Sequence, residues 1–142
     1  METSNLNISD LKLGLTRSFM VKLTEEQIES FAKLTGDFHP LHVDKSYATR
    51  NGFRDVLAHG ALITSFSSRL IGMELPGLRS IVLSQDSKYL KPTYPGDELT
   101  FSGVVSKVRK SLSVVIVTIT VVNQDDEEVG LIEFTVKVRG ES

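Results

Sequence analysis

Near the C-terminus, apolar and polar residues alternate one for one. Ile132, Phe134, Val136 and Val138 fall on one face of an extended segment, with Glu133, Thr135, Lys137 and Arg139 on the other. Residues 128–139 are therefore predicted to form a strand with one wet face. Apolar, β-branched runs predict further strands over residues 80–90, 98–109 and 112–123. The polar stretches Lys110-Ser111 and 124–127 are short enough to join the last three as antiparallel hairpins.

The first half of the chain follows a different period. Residues 1–11 are expected to be a loose arm and 16–21 a short strand. Thr24 is placed to cap a helix, with Gln27 three residues on and Glu25 and Glu26 in the first turn, where the helix dipole favours acids. Ile28, Phe31 and Ala32 form its apolar stripe, and Gly36 is placed to end it in a left-handed turn. Residues 38–58 contain Pro40, Asn51-Gly52 and mixed charges. They read as a long irregular connection with one helical turn near 45–49. Residues 60–72 are apolar on most sides, which predicts a buried helix closed by Leu75-Pro76-Gly77.

A buried helix followed by long antiparallel strands is satisfied most economically when the sheet curls around it. The expectation is one α+β domain over residues 1–142, large enough to bury a core without staples. Its outer strands would be open edges, so a homodimer is expected.

Composition narrows the function classes. Hydrophobic residues make up 40% of the chain and charged residues 24%, ordinary globular usage. The net charge of -2 is dispersed along the chain, which argues against nucleic acid as a partner. The absence of cysteine removes thiolate nucleophiles, disulfides and thiolate metal sites. The polar N-terminus lacks a secretory pattern and no apolar run reaches membrane-spanning length, so a cytoplasmic protein without a membrane partner is expected.

All three histidines lie in two polar islands, Gly36-Asp37-Phe38-His39-Pro40-Leu41-His42 and Ala58-His59-Gly60. An acid, an imidazole and a glycine that opens a helix can together accept a proton, donate one and stabilise an anion through a backbone N–H. Each has a plainer role available: an Asx turn for Asp37, a helix N-cap for Gly60, loop orientation for His59. Asp37 with His39, His42 and His59 also has the donor types of a zinc site, but His39 and His42 straddle Pro40 in a loop, and no metal is expected. Ser65, Ser67 and Ser68 lack the Gly-x-Ser-x-Gly context of an esterase nucleophile. Asp86 and Lys88 share a strand face, as an exposed ion pair or with Lys88 facing substrate phosphates.

These islands, followed by Leu75-Pro76-Gly77 and Leu90-Lys91-Pro92-Thr93-Tyr94-Pro95-Gly96-Asp97-Glu98, resemble the MaoC-like, R-specific enoyl-CoA hydratases, a family with the hotdog fold. The resemblance implies that Asp37 and His42 are the catalytic pair and that the Gly60 N–H holds the thioester oxygen. It also implies that Ser68 supports Asp37 from the central helix. His39 stands where the family often has asparagine, and it joins His59 as a supporting residue. The implied substrate is an acyl-CoA or acyl-carrier-protein thioester, with no dissociable cofactor and with Leu62 and Phe66 lining the acyl tunnel. The alternatives are a hotdog thioesterase, a (3R)-hydroxyacyl carrier-protein dehydratase and a non-catalytic acyl-thioester-binding module.

Overall fold

The alternating segments pair into one antiparallel sheet. The computed structural model describes residues 2–140. In chain order the elements are β1 (Thr16–Lys22), α1 (Glu25–Thr35), α2 (Pro40–Val43), α3 (Lys45–Arg50), α4 (Gly60–Met73), β2 (Ser80–Tyr89), β3 (Glu98–Arg109), β4 (Val114–Val122) and β5 (Glu128–Val138). The strand order is β1-β3-β4-β5-β2. The two expected hairpins are present, β4 with β3 and β5 with β4, while β1 and β2 form the edges. β4 starts later than the apolar run suggested. Residues 110–112 wind into a 3₁₀ turn, and Ser113 takes a left-handed φ of 54° before the strand begins.

Helix α4 lies on the apolar face of this sheet. Its buried residues include Leu62, Ile63, Leu70 and Ile71, packed in one core with Phe101, Ile119, Ile132 and Val136 of three different strands. Each such side chain contributes roughly 1.5–3 kcal/mol of hydrophobic stabilisation. Close approach is allowed by Gly103 of β3, where an added Cβ would stand 2.6 Å from Leu70 Cδ2. A helix wrapped by an antiparallel sheet is the hotdog fold. Among the described residues, no helix is long and apolar enough to cross a membrane.

Two expectations need correction. The segment expected as a loose arm is tied to the loop after α4: Ser4 N–H donates to the Met73 carbonyl and the Ser4 carbonyl accepts from Leu78 N–H, both at 2.8 Å. Asn5 bridges to Gly77, and Leu11 enters the core at 2% exposure. The connection after α1 holds two short helices rather than one turn. Pro40 opens α2 with its pre-set φ, and Asp44 caps α3 by accepting the Tyr47 N–H.

Candidate functional site

Gly36 ends α1 at a left-handed φ of 80°, with its N–H on the Ala32 carbonyl, and this turn delivers Asp37 beside the start of α4. Asp37 Oδ1 accepts the His39 N–H at 3.2 Å, the Asx turn its position suggested. Its second carboxylate oxygen has no hydrogen-bond partner among the described residues. The carbonyl of Asp37 meets His59 Nε2 at 3.0 Å. A carbonyl only accepts, so Nε2 carries a proton, while Nδ1 is buried without a partner. His59, 2% exposed, thus fastens the Asp37 loop to the residue that opens α4.

The same logic fixes His42. Its Nδ1 stands 2.7 Å from the Leu57 carbonyl and must donate to it, which leaves the Nε2 lone pair free. Burial holds the His42 pKa below its ordinary value, and the His59 and His39 imidazoles act in the same direction, against the Leu57 bond and Asp37. His42 is therefore a neutral imidazole at neutral pH, with its acceptor nitrogen available.

One donor atom from each of Asp37, His42 and His59 lies within 4.8 Å of the other two. That spacing lets one water bond to the acid and the imidazole together. It suits a metal less well. The His42 and His59 rings stack with centroids 3.9 Å apart and planes 24° from parallel, so their in-plane lone pairs do not converge on one ion. His39 is exposed, its ring centroid 5.8 Å from that of His42.

Helix α4 begins here with unused donors. His59 supplies no side-chain cap, and among the described residues neither Gly60 N–H nor Ala61 N–H has an acceptor. Two free N–H groups at the positive end of a fourteen-residue helix are suited to hold a developing oxyanion. Gly60 borders a cavity of about 360 Å³ lined also by His42, Ile63, Tyr89, Lys91 and Val129 among others. The Tyr89 ring covers Gly60 so closely that an added Cβ would stand 2.6 Å from it, and its hydroxyl shares a 2.6 Å hydrogen bond with Thr64.

Lys91, Pro92 and Thr93 line the same cavity, and the turn that follows them is fixed by Asp97. Buried Asp97 accepts from Tyr94 N–H at 2.9 Å, Gln124 at 3.0 Å and Arg54 at 3.1 Å, which locks the turn. The Thr93 carbonyl then accepts the Ala58 N–H at 2.9 Å and sets the approach to Gly60. Lys91 pairs with Glu127 at the rim and holds its carboxyl below the usual range.

Three expected residues lie elsewhere. Leu62 and Phe66 line a separate groove of about 440 Å³ between α1 and α4, beside Phe31 and Leu34. They belong to the stripe facing α1; Ile63, a turn of about 100° away, is the α4 side chain that lines the cavity. Ser68 is exposed, roughly 12 Å along the helix axis from Gly60, and has no hydrogen bond to Asp37 among the described residues. The inward-facing serine is Ser67, and it donates to the Ile63 carbonyl at 3.1 Å. Asp86 and Lys88 are both exposed on β2, and the lysine at the cavity is Lys91. Tyr89 and Ile63 were not singled out in the sequence, because a contact between residues 60 and 89 leaves no local pattern.

A hotdog domain with an acid and an imidazole beside an uncapped helix N-terminus is the class that fold and site define. Residues 12–127 match the family described as MaoC like domain, and the chain belongs to that family of hydratases and dehydratases. It is similar to an (R)-specific enoyl-CoA hydratase of Aeromonas caviae, 30% identical over 119 residues, which span 84% of this chain and 89% of that protein. A mitochondrial 3-hydroxyacyl-[acyl-carrier-protein] dehydratase of Arabidopsis thaliana is 36% identical over 94 residues, 66% of this chain and 52% of the relative. Among solved structures, the unliganded R-hydratase PhaJ1 of Pseudomonas aeruginosa aligns with a TM-score of 0.90 at 27% identity, covering 98% of this chain and 89% of its own.

Proposed function

We propose that this chain is an R-specific enoyl-CoA hydratase, reversibly adding water to a trans-2-enoyl thioester to give an (R)-3-hydroxyacyl thioester. The observation that carries the reading is His42, whose Nδ1 is spent on the Leu57 carbonyl, grouped with the Asp37 carboxylate near a helix start whose N–H groups are unused. A water held between Asp37 and His42 attacks C3 and gives up a proton to the pair as the C3–O bond forms. The C2–C3 π electrons move toward the thioester, and negative charge collects on its oxygen. The Gly60 N–H bonds that oxygen most strongly when the charge is greatest. The pair then returns a proton to C2, which completes addition of H and OH with no redox change and no dissociable cofactor.

The acyl group takes the space bounded by Ile63, Tyr89 and Val129, with Lys91 at its rim. The same reaction run towards dehydration on a carrier-protein thioester is a second reading, favoured by the likeness to the Arabidopsis dehydratase. The proposal includes a cytoplasmic homodimer. Support for the dimer comes from β2, an edge strand whose Ile81, Val82 and Leu83 are 47%, 44% and 57% exposed.

Asp37→Asn and His42→Ala test the assignment. Each is expected to lower the hydration rate on the order of 100-fold or more while leaving the circular dichroism spectrum unchanged. Near-wild-type hydration by either variant would remove that residue from the mechanism.

A further inference from the structure

Helix α2, which carries His42, is a single turn with no fully buried residue, and its N-cap is an imidazole. His39 Nδ1 accepts the Leu41 N–H at 3.1 Å, doing the work that an asparagine, aspartate or serine oxygen does elsewhere. The His39 carbonyl accepts the His42 N–H at 2.8 Å, and the His39 N–H is held by Asp37 Oδ1 at 3.2 Å. One residue is thus bonded to the backbone of His42 on one side and to the carboxylate of Asp37 on the other. An imidazole differs from the usual caps in one respect: it can act only while neutral, with its proton on Nε2. A second proton on Nδ1 turns the acceptor into a donor that faces the Leu41 N–H.

We propose that His39 is a positioning residue whose neutral imidazole holds α2, and with it His42, in register with Asp37, and that its protonation releases this turn. The titratable and charged groups facing the ring are Asp37 in the preceding loop, His42 on α2 with ring centroids 5.8 Å apart, and Tyr47 on α3 at 6.5 Å. Arg50 lies beyond them, over the Tyr47 ring. The kinetic consequence rests on the hydratase reading, whereas the structural one does not.

The test follows the Leu41 amide and the histidine rings by NMR across a pH titration, alongside hydration kinetics of His39→Asn and His39→Ala. Three results are expected. The Leu41 amide shifts with the same midpoint as the His39 ring, and that transition disappears in His39→Asn. At a pH where His42 is neutral, His39→Asn keeps kcat within about twofold of wild type. His39→Ala lowers kcat about fivefold with little change in KM, the factor that an N-cap of ordinary strength represents. The kcat plateau is compared because removing His39 also lifts its opposition to His42 protonation and moves the acid limb. A Leu41 amide indifferent to His39 protonation would overturn the proposal, as would equal impairment of the Asn and Ala variants. A titrating Leu41 amide in a protein that hydrates no enoyl thioester would count against the hydratase reading and leave the cap in place.

Discussion

His42 donates Nδ1–H to the Leu57 carbonyl and keeps Nε2 as an acceptor, so its useful form is the neutral ring. Burial lowers its pKa, so the neutral form persists to more acidic pH than an exposed histidine would allow. The acid limb of kcat/KM should therefore fall below about pH 6.5, the unperturbed value. A rate profile measured down to acid pH checks this, and a limb above that value would contradict the burial argument. The same shift bears on folding: the unfolded chain binds more protons at this site, so His42 destabilises the fold as pH drops from about 6.5 through its depressed pKa. Gly60 is the other sensitive position. In Gly60→Ala the new methyl meets the Tyr89 ring and pulls its hydroxyl from Thr64, so hydration should fall on the order of tenfold, with the melting temperature little changed.

Packing between α4 and the sheet places the start of that helix in the site. At Gly103 of β3, a Cβ would collide with Leu70, so Gly103→Ala should cost about 1–3 kcal/mol in urea unfolding, while KM and kcat of the folded fraction stay near wild type. α1 and β5 were legible from their periods, α4 and the other strands of the second half as apolar runs, and α1 also because Thr24, Gln27 and Gly36 mark both its ends. Asp37, His42 and Gly60 were legible as local motifs, and the structure brings them together. What local pattern could not supply was contact between distant segments. Gly77 gives no sign that Ser4 docks on it, Leu62 and Ile63 look alike until α1 is placed, and a histidine before proline does not announce a helix cap.

For the whole molecule, the sheet closes over α4 but leaves β2 open at its edge, with apolar side chains in water. If β2 is the dimer surface, wild type sediments as a dimer and Leu83→Lys shifts it towards monomer; an unshifted dimer would place the interface elsewhere. Under the proposed function the acid, the imidazole and the helix start act together on attack at C3, and a single assay tests this. Purified protein is incubated with crotonyl-CoA while the conjugated enoyl absorbance and free thiol are followed together. Loss of the absorbance without thiol release is the predicted result. Stoichiometric thiol release would make the protein a thioesterase, and an unchanged absorbance would leave it a binder of thioesters; either would contradict the hydratase account.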